Sequence, residues 1–391
     1  MKSRHLLSAV ALGLGLTVIL LSLLTRPTPV ALADPATYYV RAGATGNCLS
    51  TATPCGSVQQ AINLAGDGDE VWVATGTYVE NLVITRGLSL RGGWDASFAV
   101  QVPATYPTTI DGSGDHVISA TVETGSALIE CFTIRNGRDG IHLYAGTITV
   151  VGNTVRDASR QGIEIEDGHI LLEDNLFTDI EREGIEIDGG TVTVLSNTVD
   201  GVGRHGIQVE GGDVTIEGNL IRDVQGEDYH GIQIEVSGVV TGNEIFNIGD
   251  RGIEARGGAV VIVNNTVRDT GGDGIRTSAT STGVEIRGNA VSSAGNDGID
   301  ARGVTVAVAG NTVSACADNG IKSEGASHTF INANQVYGDG DAGIDLDNAG
   351  TFTVTNNVVA DSSVASVLIQ NGADPHNFLY HNTLVGSATG Q

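Results

Sequence analysis

Short alternating runs of apolar and polar residues recur along most of this chain. From residue 140 onward each stretch of about 22 residues reads alike. A Gly-Ile pair opens an alternating run such as 140–144, a Gly-bearing turn follows, and a second run comes at 147–151. A tight turn at an asparagine then leads to a third short run at Thr154-Val155. Alternation at period two marks half-buried strands. The asparagine returns every 22 to 25 residues as Asn153, Asn175, Asn197, Asn219, Asn243, Asn265, Asn289, Asn311, Asn334, Asn357 and Asn382. The Gly-Ile pair keeps step from Gly140-Ile141 to Gly343-Ile344. Nine residues separate each asparagine from the next Gly-Ile, except between Asn219 and Gly231, where the interval is twelve.

Self-similarity at a fixed period is the signature of a solenoid. Three strands per repeat predict an all-β parallel β-helix of about 22–25 residues per coil, each strand hydrogen-bonding its counterpart one coil on. Asparagine suits the turn because it tolerates left-handed backbone geometry and its amide can bond the next asparagine in the stack. That makes the ladder scaffold. Residues at equal offsets in successive repeats become neighbours, so function is sought by reading columns.

The ends depart from the pattern. Lys2 and Arg4, the apolar run from Leu6 to Leu24 and Ala31-Leu32-Ala33 before Asp34 read as a secretory signal peptide, with a retained anchor as the alternative. Residues 34–70 form an N-terminal cap, in which Ser57 starts a short helix with Val58, Ala61, Ile62 and Ala65 on one face. Residues 71–391 are assigned to the β-helix, with an excursion loop at 92–108 carrying Trp94, Phe98 and Tyr106. Asn382 opens another coil and the sequence stops at Gln391 without a capping element, so a fragment of a longer chain or a partner over the last coil is expected.

The chain holds 20 Lys+Arg against 46 Asp+Glu, a net charge of −26, and loss of the leader with Lys2, Arg4 and Arg26 deepens it to −29. Such a charge repels nucleic acid and anionic membranes and favours cations. Four cysteines in an exported chain point to disulfides. Cys48 and Cys55 are expected to pair across a Thr/Pro loop. Cys131 is expected to be small and buried in the asparagine position, with Cys316 some eight coils beyond its reach.

The Asn and Gly-Ile series over 131–391, together with 38–78 (YYVRAGATGNCLSTATPCGSVQQAINLAGDGDEVWVATGTY), resemble the pectate-lyase-like superfamily of secreted right-handed parallel β-helix proteins. The resemblance implies a right-handed coil, secretion or display at the cell surface, and polysaccharide as the partner. It includes lyases, hydrolases, epimerases, tailspikes and adhesins, so it does not choose an activity. His205-Gly206 and His230-Gly231 resemble the Gly-His-Gly coil of polygalacturonases. Asn296-Asp297-Gly298-Ile299-Asp300 resembles their Asn-Thr-Asp-Gly coil, but sits about three coils away on the wrong side, and the double Asp is absent.

In such enzymes the reacting groups cluster about the strand opened by Gly-Ile. Counting its Ile as zero, offsets +1 and +3 are expected to point outward. Offset +3 stacks Glu166, Asp188, Glu210 and Glu235, about 4.8 Å apart. Crowded carboxylates repel or recruit a cation, and Ca²⁺ is the natural guest of oxygen ligands outside the cell. No organic cofactor is expected. Offset −3 carries Arg138, Arg160, Arg182 and Arg204. An extended strand would hold these about 13 Å from offset +1, so pairing with Asp157, Asp179 or Glu181 is expected instead. Offset −2 stacks Glu183, His205, His230 and Arg251 beside the lengthened interval, which carries Tyr229. These four are the candidate catalytic group, with His and Glu as base and acid. Two functions remain open: non-enzymatic recognition of a polysaccharide or cell-surface glycan along the acidic face, which the missing cap and incomplete motifs favour, and a Ca²⁺-dependent lyase or glycoside hydrolase centred on His205 and His230. The chain is expected to be a monomer or part of a longer chain, with no membrane span after leader cleavage.

Overall fold

The computed structural model describes residues 34–371 and 376–386; the expected leader and the last residues of the chain lie outside them. The unit from Ala36 onward is a parallel β-solenoid. One sheet of 14 strands contributes a strand to each turn, starting at Gly76–Val79 and ending at Thr383–Val385. The other two faces run together as a 26-stranded sheet. A representative coil comprises Ile163–Ile165, His169–Glu173 and Leu176–Ile180, each parallel to its copy in the next coil. The register places Ile163 on Ile185, Ile185 on Ile207 and Ile207 on Ile232, so it survives the lengthened interval.

The core is a set of columns of Ile, Val and Leu that are fully buried, among them Ile141, Ile163, Ile185, Ile207 and Ile232. The Gly preceding each Ile is required by crowding. A Cβ on Gly184 would stand 2.6 Å from Val199 Cγ1 and 2.8 Å from the Gly206 carbonyl.

The asparagine ladder is buried and continuous, but its geometry differs from the sequence expectation. The left-handed residue is the one before the asparagine: Gly152, Asp174, Ser196 and Gly218 have positive φ. The asparagine itself turns inward. The Nδ2 of Asn197 donates to the Leu172 and Leu195 carbonyls and to Asn219 Oδ1, while its Oδ1 accepts from the Asn175 backbone N–H at 3.0 Å. An inward amide satisfies backbone groups that the turn leaves unpaired.

The helix forms where expected, at Val58–Leu64, with the Ser57 hydroxyl accepting from the Gln60 N–H and Val58, Ala61 and Ile62 buried. Glu80 adds a second cap, accepting from the backbone of Val58 and Gln59. Cys48 and Cys55 form a disulfide. Cys131 corrects the expectation. It is half-buried and left-handed, and Phe132 takes the asparagine position beneath Asn153, because that coil is one residue shorter on its way to Gly140. The excursion loop stacks Trp94 on Trp72, with ring centroids 3.9 Å apart. No helix among the described residues is long and apolar enough to cross a membrane.

Candidate functional site

The strand after each Gly-Ile is three residues long through the middle of the solenoid, as in Ile185–Ile187, Ile207–Val209 and Ile232–Ile234. The chain bends just before it, and the bend turns offsets −2 and +1 toward one another. Both columns are largely buried. Asp139, Gln161, Glu183, His205, His230, Asp273 and Asp297 face His142, Glu164, Glu186, Gln233, Glu254 and Asp300 across a polar seam that runs along the solenoid. The hydrated outer face expected at offset +1 is therefore absent.

The same bend overturns the arginine expectation. Arg160 reaches Glu164 on its own coil at 3.2 Å, Arg182 reaches Glu183 at 3.4 Å, and Arg204 reaches Glu183 at 3.5 Å. Asp157 instead takes Arg156, its sequence neighbour. The 13 Å separation assumed an extended chain that the bend removes.

The four candidate catalytic residues occupy successive coils. His230 and Arg251 share two acids. His230 Nε2 lies 2.6 Å from Glu254 and its Nδ1 3.4 Å from Asp250, while Arg251 meets Asp250 at 3.1 Å, Glu254 at 3.4 Å and Asp273 at 3.3 Å. His205 joins through its Nδ1, which accepts the His230 backbone N–H at 3.0 Å. Glu183 stands one coil below and is linked to them through Arg204, whose guanidinium lies 5.7 Å from the Tyr229 ring centre. That ring in turn meets His205 edge-on at 5.3 Å. The lengthened interval thus delivers Tyr229 to the cluster.

Electrostatics separates the roles. Burial, then the neighbouring His230 and Arg256, push His205 down to about 3. It is neutral at pH 7, and with Nδ1 accepting a hydrogen bond its proton sits on Nε2. It can donate there but cannot take a proton at Nδ1. Burial alone would raise Glu254, but His230, Arg251 and Arg256 outweigh it and hold that carboxyl at about 2. Burial, then the charges of Glu183, Asp188 and Glu164, push Glu186 up to about 7. Gln161 Nε2 donates closely to Glu186 and also meets Glu183 at 3.3 Å. The sequence reading turned offset +1, the column of Glu186, outward and missed the proton that burial leaves on this side chain. The crowding was legible in the stacked acids; the burial was not.

The candidate metal residues do not share one centre. Glu166 accepts from His142, Glu210 from Gln208, and Glu235 from Gln233 with Arg256 at 3.5 Å. Burial and then Glu210 raise the Asp188 carboxyl above its ordinary range. Among the described residues, the ligand atoms that converge within 4.8 Å of one another belong to His116, Asp139 and His142. His116 was missed because the Gly-Ile series begins at Gly140. It nonetheless stands two before Ile118, which pairs with Ile141, and so continues the offset −2 column by one coil.

A family model described as the right handed beta helix region matches residues 117–260 and 252–390. No curated protein matches the chain in sequence. Among solved structures, a mannuronan C-5 epimerase A-module of Azotobacter vinelandii superposes with a TM-score of 0.53 at 15% identity, over 84% of this chain and 94% of that one. The catalytic unit of a thermostable α-1,3-glucanase of Streptomyces thermodiastaticus gives a TM-score of 0.48 at 14% identity, over 93% and 71%. Identities this low speak to the fold.

Proposed function

The chain belongs to the right-handed β-helix family, and within that family we propose that it cleaves a neutral polysaccharide lying along the polar seam, with Glu186 as the proton donor. The observation that carries this reading is a carboxyl raised to about 7 by burial and by three neighbouring acids. A general acid works best when its pKa lies near the working pH. Such a group is suited to proton transfer, which is why catalysis is preferred to the non-enzymatic recognition favoured by the sequence. Glu183, held by Arg182 and Arg204, supplies the partner carboxylate. His205 offers its Nε2–H to a sugar hydroxyl, and Tyr229 lies beside it. Arg251 sets the next coil's acids in place. A solved protein of this fold is an epimerase of mannuronan, which keeps polysaccharide as the substrate class. The acidic seam disfavours a polyuronate unless Ca²⁺ ions held between neighbours in the column Glu166, Asp188, Glu210 and Glu235 bridge it. An exported location belongs to the same reading.

The test is to incubate the mature chain with neutral glucans, pectate and alginate, with and without Ca²⁺, and to follow new reducing ends and unsaturated products. Reducing ends from a neutral glycan are expected, falling by about 100-fold in Glu186→Gln and unchanged in Glu217→Gln, an exposed control. Cleavage of no glycan, or full activity in Glu186→Gln, refutes the assignment. Unsaturated products dependent on Ca²⁺ would replace hydrolysis by a lyase reaction.

A further inference from the structure

We propose that His116, Asp139 and His142 bind a divalent transition-metal ion of the zinc class, at the N-terminal end of the seam. The site is separate from the Glu186 centre and does not rest on it. Each of the three offers one ligand atom, and these atoms lie within 4.8 Å of one another. Asp139 and His142 are buried, at 0% and 4% exposure.

The contact geometry points to a shared ion. His116 Nδ1 lies 2.8 Å from Asp139 Oδ2, and His142 Nδ1 lies 3.1 Å from Glu164 Oε2. Both nitrogens are buried, yet neither is aligned for a hydrogen bond with its carboxylate. Adjacent ligands on one tetrahedral zinc ion, each at about 2.1 Å, stand about 3.4 Å apart, with their lone pairs aimed at the ion and off the line joining them. Hydrogen-bonded pairs at such distances are collinear. His142 is also set up as a ligand from behind. Its Nε2 is 2.9 Å from Glu166 Oε1, the carboxylate contact that fixes a ligating imidazole in one tautomer and leaves Nδ1 with a lone pair. Without a cation, that lone pair faces an acceptor. Tyr144 stacks on the same ring at 4.0 Å and shields it.

Two imidazoles and one carboxylate select Zn²⁺ and its neighbours over Ca²⁺, which takes six or more oxygens. The three ligands leave a fourth position, beside which Glu164 Oε2 stands 3.1 Å from His142 Nδ1. The opposing charges are Arg138, which donates to His116 Nε2 at 3.1 Å and meets Asp139 at 3.3 Å, and Arg160, 3.8 Å from Asp139. Arg138 is half-exposed and competes directly with the ion, because an ion on His116 Nδ1 puts a proton on Nε2.

Chelator-stripped mature chain is titrated with Zn²⁺ and, separately, Ca²⁺ by calorimetry, and Co²⁺ is used to read d–d absorption. One saturable Zn²⁺ per chain is expected. Affinity should fall at least tenfold in His142→Ala and in Asp139→Asn, since loss of even an outer-sphere partner costs about 10- to 100-fold. Arg138→Gln should bind tighter than wild type, and His169→Ala, an exposed histidine one coil on, should match it. Arg138→Gln keeps every proposed ligand, so its gain in affinity reads the site even if His142→Ala fails to fold. The proposal is overturned by absence of saturable Zn²⁺ binding, by Arg138→Gln binding no tighter than wild type, by equal affinity in a folded His142→Ala, or by Ca²⁺ binding that Zn²⁺ does not displace.

Discussion

Glu186 shows how a single side chain acquires chemistry from its column. Its carboxyl is held at about 7, above the 4.5 of a free glutamate, so the fold favours the protonated form. Its stabilising contribution is full below 4.5 and is lost as pH rises through about 7. Asp297 and Asp339, both near 6 through burial, act in the same direction. His205 opposes them. With its pKa depressed from 6.5 to about 3, it stabilises above 6.5 and loses that contribution as pH falls. Net stability therefore mixes the two, but the difference between wild type and Glu186→Gln isolates one. The permanently neutral amide should gain in melting temperature on wild type between pH 5 and pH 8, measured by calorimetry at matched ionic strength. A constant difference would mean that Glu186 titrates normally. Which acids stack was legible in the repeat. Which of them lose water was not, because burial here comes from side chains on neighbouring coils.

The asparagine ladder is the element that makes each turn cohere. Asn197 is buried, donates to two carbonyls and one asparagine, and accepts from the coil below. Asn197→Ala would leave the Asn175 N–H without its acceptor and would remove the amide's bonds to the Leu172 and Leu195 carbonyls and to Asn219. An orphaned buried polar group costs about 1–3 kcal/mol, so a loss of about 2–4 kcal/mol is expected by urea unfolding. A loss under about 0.5 kcal/mol would mean that water replaces the amide. The ladder's existence and period were plain in the sequence. Its geometry was not. Asparagine was expected in the left-handed position, but Gly152, Asp174, Ser196 and Gly218 take that conformation. A left-handed residue needs only a tolerant side chain, whereas the inward position demands a donor and an acceptor together.

The solenoid belongs to a strongly acidic chain, net −26, whose charge repels itself. Raising NaCl from about 10 mM to about 150 mM shortens the screening length from about 30 Å to about 8 Å, so the melting temperature should rise. A fall would show that the arginine–carboxylate pairs flanking the seam outweigh the repulsion. At this scale the sequence by itself determined the solenoid, its period, the capping helix at Ser57 and the place of the lengthened coil, because each follows from local periodicity and spacing. It also brought His205 and His230 into one column. Only the tertiary structure decided which faces those columns present. The bend before each Gly-Ile brings Arg160 onto Glu164, buries offset +1 against offset −2 and extends the seam back to His116. A one-dimensional repeat specifies which residues stack. The angle at which the chain turns each corner, set by how the coils pack, decides which of them meet.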